Sequence, residues 1–195
     1  MIVLLALAAT VSATKLEDHA CWRRQEDGHF LDCFDKGLTG TIPPSLGDHT
    51  RLVTVALARN ELGGTIPFAL GKLTRLNALL LGSDAGQPDK QITGTIPPSL
   101  GMLTRLSALG LLGSKTHGSE LTGTLPSTLG KLTALTYLHL LSLQLSGTIP
   151  SALGDLTLLT YLARRGAIAI ALSPYIYVRI LICSRVFCAI SGSAR

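Results

Sequence analysis

The residues best suited to chemistry in this 195-residue chain are its four cysteines and five histidines. Cys21 and Cys33 stand twelve apart with His19 and His29 beside them, a set of atoms able to ligate zinc. Structural zinc sites place their ligands at recurrent spacings, and this spacing matches none of them, so no metal site is expected. In an oxidising compartment the two thiols would close a short loop instead, a bridge worth roughly 2–3 kcal/mol on the chain-entropy model. His49, His117 and His139 are scattered, and Cys183 and Cys188 lie in an apolar tail where nothing assigns them a role. The chain has no Gly-x-Ser-x-Gly elbow, phosphate loop or kinase signature. No catalytic residue and no cofactor is read from it; the expectation is a non-enzyme.

What, then, positions these residues? Met1–Ala13 is an apolar run ending in the small residues Val11-Ser12-Ala13, after which the chain turns polar; it reads as a secretory signal. That start favours an extracellular or cell-surface location and the bridged state of Cys21 and Cys33. The net charge of +5 is confined to one end. Arg164, Arg165, Arg179, Arg185 and Arg195 have no acidic neighbour after them, while residues 1–163 hold 12 basic and 12 acidic groups. With that balance no basic stripe is expected, and nucleic acid is excluded as a partner.

The organising feature is repetition. Gly-Thr-Ile/Leu-Pro begins at Gly40, Gly64, Gly94, Gly123 and Gly147, spaced by 24, 30, 29 and 24 residues. Each copy is followed by Leu-Gly, as at Leu70-Gly71, and then by a leucine series such as Leu73-x-x-Leu76-x-x-Leu79-x-Leu81. Leu-x-Leu alternation marks a short strand with every second side chain turned inward. One unit buries too little apolar surface to fold alone, so neighbouring units must share a continuous leucine core.

This pattern resembles the plant-type leucine-rich-repeat family, most closely over Leu52-x-x-Val55-x-Leu57-x-x-Asn60-x-Leu62-x-Gly64-x-Ile66-Pro67-x-x-Leu70-Gly71. The resemblance spans about residues 30–163. It implies a leucine-rich-repeat solenoid: a curved right-handed stack with a parallel β-sheet on its concave face and an irregular or short-helical convex side. It also implies an N-terminal cap, in which Cys21-Trp22 and Cys33 cover the first repeat. The domain plan that follows is a signal at 1–13, the cap at 14–36, about five repeats over 37–166 with insertions at 85–90 and 115–119, and an apolar basic tail at 167–195. The turn asparagine of the family is present at Asn60; its counterparts are Asp84 or Lys90, Ser114 or Ser119, and Leu143, and the leucine cannot accept a hydrogen bond.

Members of that family act as receptor ectodomains or as inhibitors of secreted hydrolases, which implies a protein or peptide ligand on the concave face. The alternatives are the ectodomain fragment of a receptor-like kinase and a secreted inhibitor of a wall-degrading hydrolase. The solvent-facing columns of the sheet read Thr54, Ala78, Ala108, Tyr137, Tyr161; then Ala56, Leu80, Gly110, His139, Ala163; then Ala58, Gly82, Leu112, Leu141, Arg165. Tyr137, His139, Tyr161 and Arg165 form an aromatic and basic cluster of the kind that anchors protein interfaces. Tyr137 and Tyr161 would equally serve as a β-favouring pair stacked on the sheet. The two insertions offer a second candidate edge. Residues 166–190 are long enough to span a bilayer, yet Pro174, Arg179 and Arg185 oppose an anchor; an apolar cap or an aberrant terminus fits them better.

Overall fold

The computed structural model describes residues 14–23, 28–82, 91–113, 120–141 and 143–164. Residues 1–13, expected to be a signal, the expected insertions at 85–90 and 115–119, Arg165 and residues 166–195 lie outside them. The chain winds into a solenoid with two parallel sheets. The concave sheet has six strands, in the order of the chain: β2 (Phe30–Asp32), β4 (Thr54–Ala56), β6 (Ala78–Gly82), β8 (Ala108–Leu112), β10 (Tyr137–Leu141) and β11 (Tyr161–Arg164). A second sheet joins β1 (Thr14–Lys15), β3 (Leu38–Thr41), β5 (Glu61–Thr65), β7 (Ile92–Thr95) and β9 (Glu120–Thr122). Periodicity predicts the first sheet and not the second, whose Thr-Gly-Thr segments look like turns.

Each Gly-Thr-Ile/Leu-Pro phrase leads into a five-residue 3₁₀ turn, as at Phe68–Lys72 and Pro98–Met102. The proline before the turn suits that place, since its φ is fixed and its carbonyl accepts the first bond: Leu70 N–H donates to Pro67 O at 3.1 Å. The following Leu-Gly is set by packing between turns. A Cβ on Gly71 would meet the Ser99 carbonyl oxygen at 2.6 Å, so any side chain there would push neighbouring repeats apart. The glycine of the Gly-Thr pair has a different reason. Gly94 has φ +80°, a left-handed backbone that L side chains rarely adopt, and an added Cβ would lie 3.0 Å from Thr65 Cγ2. The threonine methyl of one repeat thus rests against the bare α-carbon of the next.

Inside, the leucines stack in columns: Leu52, Leu76, Leu106 and Leu135 in one, Leu57, Leu81, Leu111 and Leu140 in another, all buried in one cluster. Each fully buried leucine contributes about 1.5–3 kcal/mol relative to an exposed one, and every repeat borrows much of its contact from its neighbours. In the fifth repeat Leu153 and Leu159 are only partly buried against this cluster, and pairing sets Arg164 opposite Leu140, where a leucine would continue the column.

The first repeat is closed by the cap. Cys21, in the four-residue helix α1 (Ala20–Arg23), is bonded to Cys33 with a Cα separation of 5.5 Å. Trp22 packs against the core and meets the His49 ring edge-on at 5.3 Å. Asn60 ties cap to repeat. Its Oδ1 accepts from Lys36 N–H at 2.9 Å and Leu38 N–H at 3.0 Å, while its Nδ2 donates to Cys33 O at 2.7 Å and Leu57 O at 2.9 Å. Leu143, its counterpart in the fourth repeat, is buried and supplies only apolar contact.

Candidate recognition surface

Parallel pairing brings the solvent-facing columns of the concave sheet together residue by residue. Phe30, Thr54, Ala78, Ala108, Tyr137 and Tyr161 lie in one row, and Asp32, Ala56, Leu80, Gly110, His139 and Ala163 in the next. Tyr137 and His139 are two apart on β10, so strand geometry aims both at the same face. Their side chains meet there: Tyr137 Oη lies 3.0 Å from His139 Nδ1, and the rings stand edge to face with centroids 5.9 Å apart. With the imidazole neutral and its proton on Nε2, the phenol O–H donates to Nδ1. Both side chains are half-buried, and that burial holds the His139 pKa below its usual 6.5 by disfavouring the charged ring. Tyr161 is beside Tyr137 by backbone register, and Arg165 lies outside the described residues.

Two features of this surface are not legible from the leucine pattern. The first is β2, which belongs to the cap yet adds Phe30 and Asp32 to the near end of the sheet; Phe30 is 60% exposed. The near end is therefore not limited to the small residues of the repeats. The second corrects the expectation that no basic stripe exists. Arg51, Arg75 and Arg105 occupy the same position of three consecutive repeats, all exposed, at the rim where the chain enters each concave strand. Aligning the phrases Thr50-Arg51-Leu52, Thr74-Arg75-Leu76 and Thr104-Arg105-Leu106 is the sequence signal that finds them. Among the described residues no helix is long and apolar enough to cross a membrane.

No family model and no curated protein matches the sequence. Solved structures do. The chain is similar to the complex of BIR3 and SERK2 from Arabidopsis thaliana, at 30% identity over 85% of this chain and 84% of that one, with a TM-score of 0.58. It is similar to the leucine-rich-repeat ectodomain of the Arabidopsis receptor kinase HAESA bound to an N-terminally extended IDA peptide hormone, at 32% identity over 73% of this chain and 22% of that one, TM-score 0.62. A plant ice-binding protein matches at 31% identity over 70% of this chain and 38% of that one, TM-score 0.51. The chain spans between 19% and 22% of the length of the peptide-hormone receptors RGFR1 and HAESA. Repeat pattern, solenoid geometry and these likenesses agree: the chain belongs to the plant-type leucine-rich-repeat family.

Proposed function

We propose that the chain is a non-catalytic recognition module, working outside the cell or at its surface, that binds a protein or peptide on its concave sheet. The observation behind this reading is the Tyr137–His139 pair, two amphipathic rings held against each other by a 3.0 Å hydrogen bond on the concave face. Rings fixed before binding lose little entropy on contact, and tyrosine buries area while keeping a polar handle. Tyr161, in register on the next strand, would extend the patch, with Arg165 following it. The similar HAESA ectodomain carries a bound peptide hormone, which supports a peptide as one occupant. The experiment is affinity capture with the secreted chain and with its Tyr137→Ala/Tyr161→Ala variant. A partner lost by the double variant with the fold intact supports the reading; a partner kept at full affinity, and lost on deleting 85–90 or 115–119, moves the site to the insertion edge.

A second reading rests on the other sheet. Thr41, Thr65, Thr95 and Thr124 are exposed at the same position of four successive repeats, the last just past β9, and their methyls are braced on Gly64, Gly94, Gly123 and Gly147. A regular file of fixed hydroxyls and methyls suits an ordered water lattice, and one of the similar solved structures is an ice-binding protein. Thermal hysteresis that vanishes in Thr65→Lys/Thr95→Lys would support it; the absence of any hysteresis in the unaltered chain removes it.

A further inference from the structure

Among the described residues the solenoid is open at its fifth turn. Ile149, Leu153 and Leu159 are only partly buried against the core cluster, and Leu158 is 56% exposed. β11 pairs with β10 on one side and, among the described residues, with no strand on the other. Gly154 is the sharper sign. The glycine after each turn leucine is demanded by the turn that follows, since a Cβ on Gly47, Gly71, Gly101 or Gly130 would run into the backbone of Ala69, Ser99, Thr128 or Ala152. Those four glycines are buried. The fifth turn keeps the glycine at Gly154, yet Gly154 is exposed, with no described turn upon it.

Residues 165–195 lie outside the described structure but follow β11 directly, and their sequence carries the repeat in register. Counted 24 residues on from the fifth copy, Pro150 falls on Pro174, and positions 156, 159, 162 and 164 fall on Ile180, Cys183, Val186 and Cys188, all apolar. The two arginines of this stretch take outward positions. Arg185 falls in the concave row of Tyr161, and Arg179 at the place of Asp48, Lys72, Met102, Lys131 and Asp155, every one of them exposed. Arg179 also stands to Asp155 as Lys72 stands to Asp48, a pair 24 residues apart that closes at 2.9 Å. We propose that residues 167–190 form a sixth, degenerate turn that seats on repeat five and closes the open end. Gly154 is then a glycine for the reason its four counterparts are. Val178 takes the sixth glycine position, and its side chain bars a further turn, as a closing turn requires. Ala171 replaces the left-handed glycine, so the second sheet is not extended; that sheet already ends at β9. Valine and cysteine fill less space than leucine, so this end stays the looser of the two. A bilayer anchor would bury both arginines, whereas this register leaves both in water. It also sets Phe187 beside Ala163, adding a sixth turn to the concave face; its use in binding rests on the reading above, while the turn itself does not.

The test is segment-resolved hydrogen exchange of the full chain. Amides of β11 and of residues 180–188 should exchange about tenfold or more slowly than an unstructured peptide of the same sequence. Val186→Asp, at an inward position, should return both segments to fast exchange, and Phe187→Asp, its outward neighbour, should change neither. Because an aspartate can unfold its surroundings, a cross-link tests the register by itself. Stacked turns lie about 4.8 Å apart, within the roughly 4.4–6.8 Å that a disulfide spans between α-carbons. In a chain carrying Cys183→Ser and Cys188→Ser, Asp155→Cys with Arg179→Cys should close a bridge on oxidation, and Asp155→Cys with Ile182→Cys should not. Neither readout involves a ligand, so failure here is distinct from failure of the concave-face reading. Fast exchange of 180–188 in the unaltered chain, equal effects of the two aspartates, or cross-linking of position 182 as readily as 179 would each overturn the sixth turn. So would recovery of the tail in added phosphatidylcholine vesicles, or its protection only in a dimer.

Discussion

The solenoid meets its two ends in different ways. At the first repeat, Leu31, Leu38 and Leu52 are fully buried, because a disulfide, a tryptophan and the Asn60 hydrogen bonds to Cys33, Lys36 and Leu38 fasten the cap over them. In the fifth repeat Leu153 and Leu159 are only partly covered. The residue type in the column is the same, and only the neighbour differs. A repeat's leucines are thus worth what the next layer makes of them, and the strength of the fold is a property of interfaces between repeats.

The largest effect should come from breaking that dependence in the middle. Leu81 is fully buried with a repeat packed on either side. Leu81→Asp places an unpaired carboxylate there and should cost about 4 kcal/mol or more, taking neighbouring repeats with it. Leu159→Asp, half-covered, should cost far less and leave the first three repeats protected. Denaturant unfolding with hydrogen exchange by segment measures both; equal losses from the two variants would break the comparison.

Next in size is the fastening of the cap. Asn60→Ala removes the partner of the buried Leu38 N–H, Cys33 O and Leu57 O and of the part-buried Lys36 N–H, so it should destabilise by about 2–3 kcal/mol, whereas Leu143→Ala removes only apolar contact. Cys33→Ser should lower the unfolding midpoint by a similar amount under non-reducing conditions, with most of the difference gone when the parent is reduced. Equal midpoints for Cys33→Ser and the oxidised parent would take the bridge out of the account.

How legible this was depends on the residue. The leucine columns announce themselves because burial demands a fixed period, and Asn60 because its place in the turn demands an acceptor and two donors at once. Tyr137 and His139 are readable as a pair since two residues on a strand share a face. The second sheet escapes notice: Thr-Gly-Thr lacks an apolar alternation, and its pairing joins Thr95 to Thr122 rather than to its repeat counterpart Thr124. The arginine rim is hidden by arithmetic, because the 12 basic and 12 acidic groups of residues 1–163 cancel in number, and a net count does not tell which of them share a face. Phe30 and Asp32 are missed for a topological reason, since β2 is cap by sequence and sheet by pairing.

The smallest expected effect is one of pH, and it sharpens the contrast at the far end of the sheet. Half-burial beside Tyr137 disfavours the charged His139 ring, so its pKa in the folded chain is lower than the value of about 6.5 in the unfolded one. The unfolded chain therefore takes up this proton first as pH falls. Stability from the neutral ring is fully present above about pH 6.5 and is lost progressively as the pH drops from there through the folded pKa, below which the slope ends. His139→Gln removes this contribution while the other histidines still titrate, so the difference between parent and variant isolates it. Thermal midpoints taken between about pH 7.5 and pH 5 should fall more steeply for the parent. A bound partner that presents a carboxylate to the ring would reverse the sign, raising the pKa and making the complex stronger in acid. A parent and a His139→Gln chain with parallel pH profiles, free and bound, would mean that the imidazole is held by its tyrosine for shape alone and reports no proton at this surface.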